Sequence, residues 1–368
     1  MVNRVTKVIG TEKPIIQASM FYLTDAKLVA AVSNAGGLGI IGMSAGIDHY
    51  EANIEKSLAF TKQEIEKTKK LTNKPFGLTI SPMPIKKKTV DTSSGASQNS
   101  DKTTDIKDLG KAILSADKNS NEELGLDADL LTNGLLNLAK EENIKVVMWS
   151  GIFIPGWVER FHDAGIKVLF RPMDPEPTVI KNAIKGGVDA IIATGFDEGG
   201  TVPSKTVGTF SAIPMAVDAT EDKVPVIAAG GITDERTAKA AFALGAEGIY
   251  AGTAFLASKE APMAQNIKER MLTTNAEEML MFRAPNSFYR SLSGELPDKL
   301  VEMDKAGATA NEIWDAAGGY DDLRQGMLFG KLDKGIASFG LGISMIHEIE
   351  PVEVIVNRLY AGIPEDAR

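Results

Sequence analysis

The stretch from Val224 to Thr253, VPVIAAGGITDERTAKAAFALGAEGIYAGT, constrains the fold more than any other part of the chain. It opens on a short apolar run, Val224 to Ala229, too short for a helix and β-branched enough for a buried strand. Gly230 and Gly231 follow at once. A helix signature comes next: Thr233 is placed to cap it, Asp234 and Glu235 suit its first turn, and Gly245 ends it. Ala238, Ala241, Phe242 and Leu244 give that helix one apolar stripe. A second short strand, Gly248 to Ala251, runs into another turn at Gly252 and Thr253. The whole reads as a parallel βαβ unit with both glycine turns at one end of the sheet. Backbone N–H groups freed in two adjacent turns suit an anion, most often a phosphate. One glycine pair would merely end a strand; two pairs in register argue for a phosphate cup.

The same rhythm runs upstream. PIIQA at Pro14 to Ala18 predicts a first strand, and Thr24 is placed to cap a helix from Asp25 to Ala35. Leu38 to Ile41 predicts the second strand, Asp48 to Lys70 a long helix, and Pro75 to Ile80 the third strand. Strands at Ile144–Trp149, Ile166–Phe170 and Val188–Ala193 continue the series. Helices at Ile154–Ala164 and Glu176–Lys185 separate them, with another near Ser211–Ala219. Eight strand-then-helix units predict an α/β fold, a (β/α)8 TIM barrel over residues 1–272. A doubly wound open sheet ranks second, because it would want its phosphate turn after the first strand.

Two regions leave this rhythm. A polar insertion of about residues 85–140 follows the third strand, and Lys86 to Thr104 within it is too polar to recover its ordering entropy by burial. It reads as a mobile loop, placed where a barrel carries lids. Beyond Leu272, residues 273–368 read as a helical part, with Met279–Gly294 crossing the site and further helices packing back on the barrel.

The 368 residues contain no cysteine, which removes disulfides, thiolate metal sites and cysteine nucleophiles together. Only three histidines (His49, His162, His347) are present, which argues against a three-histidine metal site. A net charge of -9 argues against nucleic acid or an anionic membrane as partner. With no apolar signal core and no membrane-length run, a cytoplasmic protein acting on a small molecule is the simplest expectation.

Four stretches then resemble the nitronate monooxygenase family, formerly 2-nitropropane dioxygenases, which includes flavin-dependent enoyl-acyl carrier protein reductases. PIIQASM at Pro14–Met20 is similar to the family's PIIQAPM, and SNAGGLGIIG at Ser33–Gly42 to its second-strand entry. GGVDAIIATGFDEGGT at Gly186–Thr201 is similar to AGVDAVIAQGFEAGGH. PVIAAGGITDERTAKAAFALGAEGIYAGTAFL at Pro225–Leu256 is close to the family consensus.

The resemblance implies an FMN-binding barrel. It would place the phosphate at Gly230, Gly231, Gly252 and Thr253, with Tyr250 and Ala251 lining the same wall. Gly199 and Gly200 would let the backbone approach the flavin. Thr194 stands where the family has Gln and Thr79 where it has Asn; both can hydrogen-bond to flavin edge atoms. Ala18, Ser19 and Met20 would form the turn under the isoalloxazine ring, with Ser19 replacing a proline. The family's catalytic histidine is Thr201 here, a hydroxyl able to orient a nitro or carbonyl oxygen but a poor proton donor. Asp197, Glu198 and Lys205 lie close by as proton sources, although carboxylates after a strand more often cap or form salt bridges.

The implied activity is an FMN-dependent oxidoreductase acting on a small organic substrate. An NAD(P)H-dependent enoyl-acyl carrier protein or quinone reductase is the nearest alternative, with NAD(P)H as co-substrate and an acyl carrier as partner. A phosphate-binding isomerase or lyase, and a non-catalytic flavin-binding protein, are the others. Homo-oligomer formation stays open.

Overall fold

The short apolar runs pair as parallel strands. In the computed structural model, residues 3–49, 51, 53–82, 121–285, 287–319 and 321–368 are described. They form β1 (Ile15–Gln17), β2 (Gly39–Ile41), β3 (Phe76–Ile80), β4 (Val146–Ser150), β5 (Lys167–Arg171) and β6 (Ala190–Thr194). Next come β7 (Thr201–Val202), β8 (Val226–Ala229) and β9 (Gly248–Ala251), then β10 (Leu280–Ala284) and β11 (Ser287–Ser291). Eight strands make one sheet in the order β1-β9-β8-β6-β5-β4-β3-β2, paired in parallel. A parallel bridge between Ile16 and Leu38, with the Gln17 N–H donating to the Leu38 carbonyl at 3.0 Å, joins the two edges. The expected TIM barrel is therefore present, and its seventh and eighth strands are β8 and β9.

Strand alternation sorts the core into two shells. Ile16, Ile40, Met148, Leu169, Ile192 and Ile227 face inwards and pack together. Val147, Val168, Phe170, Ile191, Ala228 and Ile249 face outwards, under the helices. At the amino ends of the strands the helix Arg4–Ile9 lays Val5 and Ile9 into the inner shell, closing the floor. Asn3 caps that helix and also donates to the Glu247 carbonyl at 2.9 Å, just before β9.

Helix starts fall slightly later in the chain than expected, and each shift has a local cause. Asp25, not Thr24, caps the helix Ala26–Asn34, because the Thr24 hydroxyl is taken by the Met20 carbonyl at 2.9 Å. Asp234, not Thr233, caps Glu235–Ala243 through a capping box with Thr237. The helix expected from Asp48 begins at Ile54, capped by Asn53. The Lys86–Thr104 stretch lies outside the described residues; the helix Asn121–Glu141 leads from the insertion into β4.

The larger correction is beyond Leu272. β10 and β11 pair antiparallel with each other where a helical segment was expected, and β11 pairs antiparallel with β7. Along β10 Phe282 and Ala284 are buried with Arg283 half-buried between them, a period-two pattern a helix does not give, and Tyr289, Arg290 and Ser291 of β11 are all buried. Helices Glu295–Lys305 and Ala310–Ala317 cover the hairpin through Leu296, Leu300 and Ile313. No helix among the described residues is long and apolar enough to cross a membrane.

Candidate active site

The carboxyl ends of the barrel strands form a mouth whose lining follows from the alternation. Val168 and Phe170 pack outwards, so Arg171, the last residue of β5, faces in. By the same parity Thr79 of β3, Thr194 of β6 and Tyr250 of β9 face in, with Ala18 just after β1. Tyr250 and Ala251 therefore do not share a wall. Tyr250 packs in the inner shell, whereas Ala251 packs outwards and offers the mouth only backbone.

The lining side chains are connected. The Ser19 N–H donates to the Tyr250 hydroxyl at 2.9 Å, and the Thr79 hydroxyl donates to Ser19 Oγ at 2.5 Å. Arg171 forms a salt bridge with Glu198, and their side chains are only 13% and 12% exposed. Burial raises the Glu198 carboxyl to about 7, against the opposing pull of Arg171 and Arg290. Burial likewise raises the Tyr250 phenol to about 12, opposed by Arg171 and by the Ser19 N–H. Burial works against the Arg171 charge, yet Glu198 and Tyr250 hold its pKa above the usual arginine value. Two atoms here are buried without a hydrogen-bond partner: Thr194 Oγ1 and Glu198 Oε1. Such atoms cost about 1–3 kcal/mol each, so native chains keep few of them without a function.

The glycine turns at β8 and β9 flank this lining. Gly230 and Gly231 sit at φ +99° and +72°, a left-handed conformation that admits few other residues. None of the described backbone hydrogen bonds is donated by the N–H of Gly231 or Gly252. A Cβ on Gly252 would meet Met20 Sδ at 3.4 Å and Ala18 Cβ at 3.5 Å, so the β9 turn and the β1 turn converge. The Thr253 hydroxyl accepts from the Gly340 N–H at 2.9 Å, tying this turn to the C-terminal segment.

Other predicted residues are placed differently. Gly199 lies against the C-terminal segment; a Cβ there would fall 2.4 Å from the Phe339 carbonyl carbon. Gly200, at φ +75°, has open space around it, and its N–H donates to Ser338 Oγ at 2.8 Å. Thr201 lies in β7, its hydroxyl 2.9 Å from the Tyr289 hydroxyl of the hairpin, a pair in which either oxygen can donate. Asp197 accepts from the Thr209 N–H at 2.6 Å, and the Lys205 N–H donates to Asp174 at 2.9 Å. The histidines sit elsewhere. His162 pairs with Asp189 at 2.8 Å, His347 is exposed, and His49 lines a separate cavity of about 520 Å³ with Tyr22 and Phe60. No cluster able to hold a metal ion occurs among the described residues.

Sequence reasoning missed Arg171 and Arg290. Arg290 donates to the carbonyls of Phe196 and Glu198 at 2.7 and 2.6 Å, pinning the loop that carries Glu198. The signal for Arg171 was present, since counting inward positions along KVLFR puts an arginine at the strand's mouth end.

A closed parallel barrel with its polar side chains gathered at the carboxyl ends defines a TIM-barrel enzyme. The sequence profile of the nitronate monooxygenase family matches residues 3–362. A "Probable nitronate monooxygenase" of Staphylococcus aureus is 30% identical over 322 residues, covering 82% of this chain and 84% of the relative. FabK from Thermotoga maritima superposes with a TM-score of 0.73 at 26% identity, covering 98% of this chain and 95% of that one. A nitroalkane oxidase from Streptomyces ansochromogenes shares the fold, with a TM-score of 0.70 at 24% identity over 98% and 97% of the two chains. The chain belongs to the nitronate monooxygenase family and is an oxidoreductase.

Proposed function

We propose that the protein binds FMN in the barrel mouth and uses it to oxidise small nitro compounds. The observation that carries this reading is the buried, unpartnered Thr194 hydroxyl, facing the same mouth as the glycine turns after β8 and β9. A phosphate alone would use Gly230, Gly231, Gly252 and Thr253 and leave Thr194 orphaned. A flavin also brings polar ring edges, and Thr194 and Thr79 suit those edges. Ala18, Ser19 and Met20 would pass beneath the ring, with Met20 supplying a polarizable contact. Bound FMN would supply the electron transfer, for which no amino-acid side chain here serves.

The chain's own residues would do the rest. The glycine turns hold the phosphate on backbone N–H groups, and the Tyr250 ring backs the inner wall. Thr201, braced by Tyr289, orients a substrate oxygen by hydrogen bonding. The hairpin covers the β6 loop through Arg290 and restricts water around the reacting carbon.

Purified protein should be yellow, or become so on adding FMN. Anaerobic mixing with NADH, NADPH and ethyl nitronate in parallel then identifies the electron donor from the loss of flavin absorbance. Bleaching by the nitronate alone supports oxidation of nitro compounds, and bleaching by a nicotinamide supports the reductase alternative. A colourless protein that refuses FMN but gains melting temperature with a sugar phosphate would sink the flavin reading.

A further inference from the structure

We propose that Glu198 is the catalytic base of this site, removing the proton from a carbon that bears a nitro group. The inference rests on the substrate class given under Proposed function and names the residue that makes a neutral nitroalkane reactive. Of the three proton sources close in sequence to Thr201, Glu198 is the one paired with an inward-facing residue of the barrel, Arg171. Asp197 accepts the Thr209 N–H through Oδ2, at the start of the following helix, and the Lys205 side chain is exposed. Glu198 instead reaches into the mouth and meets Arg171, whose strand parity points it at the barrel axis. One carboxylate oxygen is fixed by Arg171, and the other, Oε1, is buried with no partner. A base needs this arrangement: one oxygen anchored, the other free to receive a proton. In the family pattern that the GFDEGGT loop resembles, alanine stands at 198 and histidine at 201, so Glu198 and Thr201 depart from it within one loop.

The surrounding charges suit the role. Arg171 from β5 and Arg290 from the hairpin favour the carboxylate, while burial and Asp174 favour the neutral acid. Asp197 is the sequence neighbour, and Tyr250 faces the pair from β9 with its phenol held neutral. The balance leaves the Glu198 carboxyl at about 7, so both protonation states are accessible near neutral pH.

The step is a proton transfer. The C–H bond breaks, an O–H bond forms at Oε1, and the bonding pair moves onto the nitro group to give a nitronate. One negative charge passes from carboxylate to nitronate, and no oxidation occurs in this step.

The test is hydrogen–deuterium exchange at the α-carbon of nitroethane in D2O, followed by NMR with and without added FMN. The wild-type protein should accelerate exchange, and Glu198→Gln should lower that acceleration by about 10²–10⁴-fold. Glu198→Asp should retain part of it. An infrared difference spectrum of the wild type between pH 6 and 8 should show the loss of one buried carboxyl band, which needs neither activity nor a variant. Undiminished exchange in Glu198→Gln, no acceleration by the wild type, or no carboxyl band titrating in that interval overturns the proposal. Failure to bind FMN would overturn the flavin reading while leaving the exchange and infrared results interpretable.

Discussion

The two sides of the barrel mouth are made of different materials. On the β8–β9 side the functional groups are backbone N–H donors, those of Gly231 and Gly252, in turns where the missing Cβ leaves the backbone exposed between neighbouring side chains. On the β5–β6 side they are buried charges, Arg171 and Glu198, held by packing and by the hairpin from the C-terminal part. Backbone donors need only a conformation, so a local sequence can encode them. A perturbed carboxylate needs low dielectric, a counter-charge and a fixed neighbour, which come from three separated segments.

The largest expected effect bears on the backbone side. Gly252→Asp introduces a carboxylate where a phosphate would sit, and its Cβ meets Met20 and Ala18 only at ordinary contact distance. Gly252 has no positive φ, unlike Gly231, so the substitution adds charge without backbone strain. Two like charges about 4 Å apart in a partly shielded site repel by about 4 kcal/mol. FMN should therefore bind about a thousandfold more weakly in a fluorescence titration, with melting of the free protein unchanged. Equal affinity would move the phosphate away from β9.

The charged side predicts a pH effect of the opposite character. A carboxyl at about 7 in the folded protein and near 4.5 when unfolded keeps its proton longer in the folded state. Between these values the native state binds more protons, so stability falls as pH rises from 4.5 to 7 and then levels off. The loss is on the order of 3 kcal/mol, and it should vanish from urea melts of Glu198→Gln at the same pH values. A slope that survives in Glu198→Gln would assign it to another group.

Thr194→Val tests whether the orphan hydroxyl belongs to the ligand. Removing a buried, unpartnered polar atom should stabilise the free protein by about 1 kcal/mol. Losing one hydrogen bond to bound FMN should weaken its binding about fivefold. The two changes have opposite signs, which general damage to the barrel would not produce. Differential scanning fluorimetry with and without FMN reads both.

The same contrast explains how much was legible in advance. The eight strands, their order and the glycine turns follow from local pattern: β-branched runs for strands, left-handed glycines for turns. Thr194 and Tyr250 were found through the resemblance, and strand parity would have separated Tyr250 from Ala251. The hairpin was missed because the local sequence of Met279–Gly294 reads as a segment crossing the site and not as two strands. Their sheet is completed only by pairing with Thr201–Val202, far upstream. The meeting of Arg171 with Glu198 was likewise hidden, since no local spacing links a strand end to the next loop.

Thr201→Val joins the two halves of this contrast and should give the smallest effect. The Thr201 hydroxyl is held by Tyr289 at 2.9 Å, so it is placed by the hairpin rather than by the barrel. If it orients a nitro oxygen, its loss removes one hydrogen bond of about 1 kcal/mol and lowers kcat/KM roughly fivefold, mainly through KM. Tyr289→Phe should produce a similar but weaker change, because the threonine stays and only its brace is lost. The pH dependence should remain that of the wild type in both variants, since neither touches the ionisable group. A shifted pH profile in Thr201→Val would instead make the hydroxyl part of the proton path and weaken the assignment of that path to Glu198.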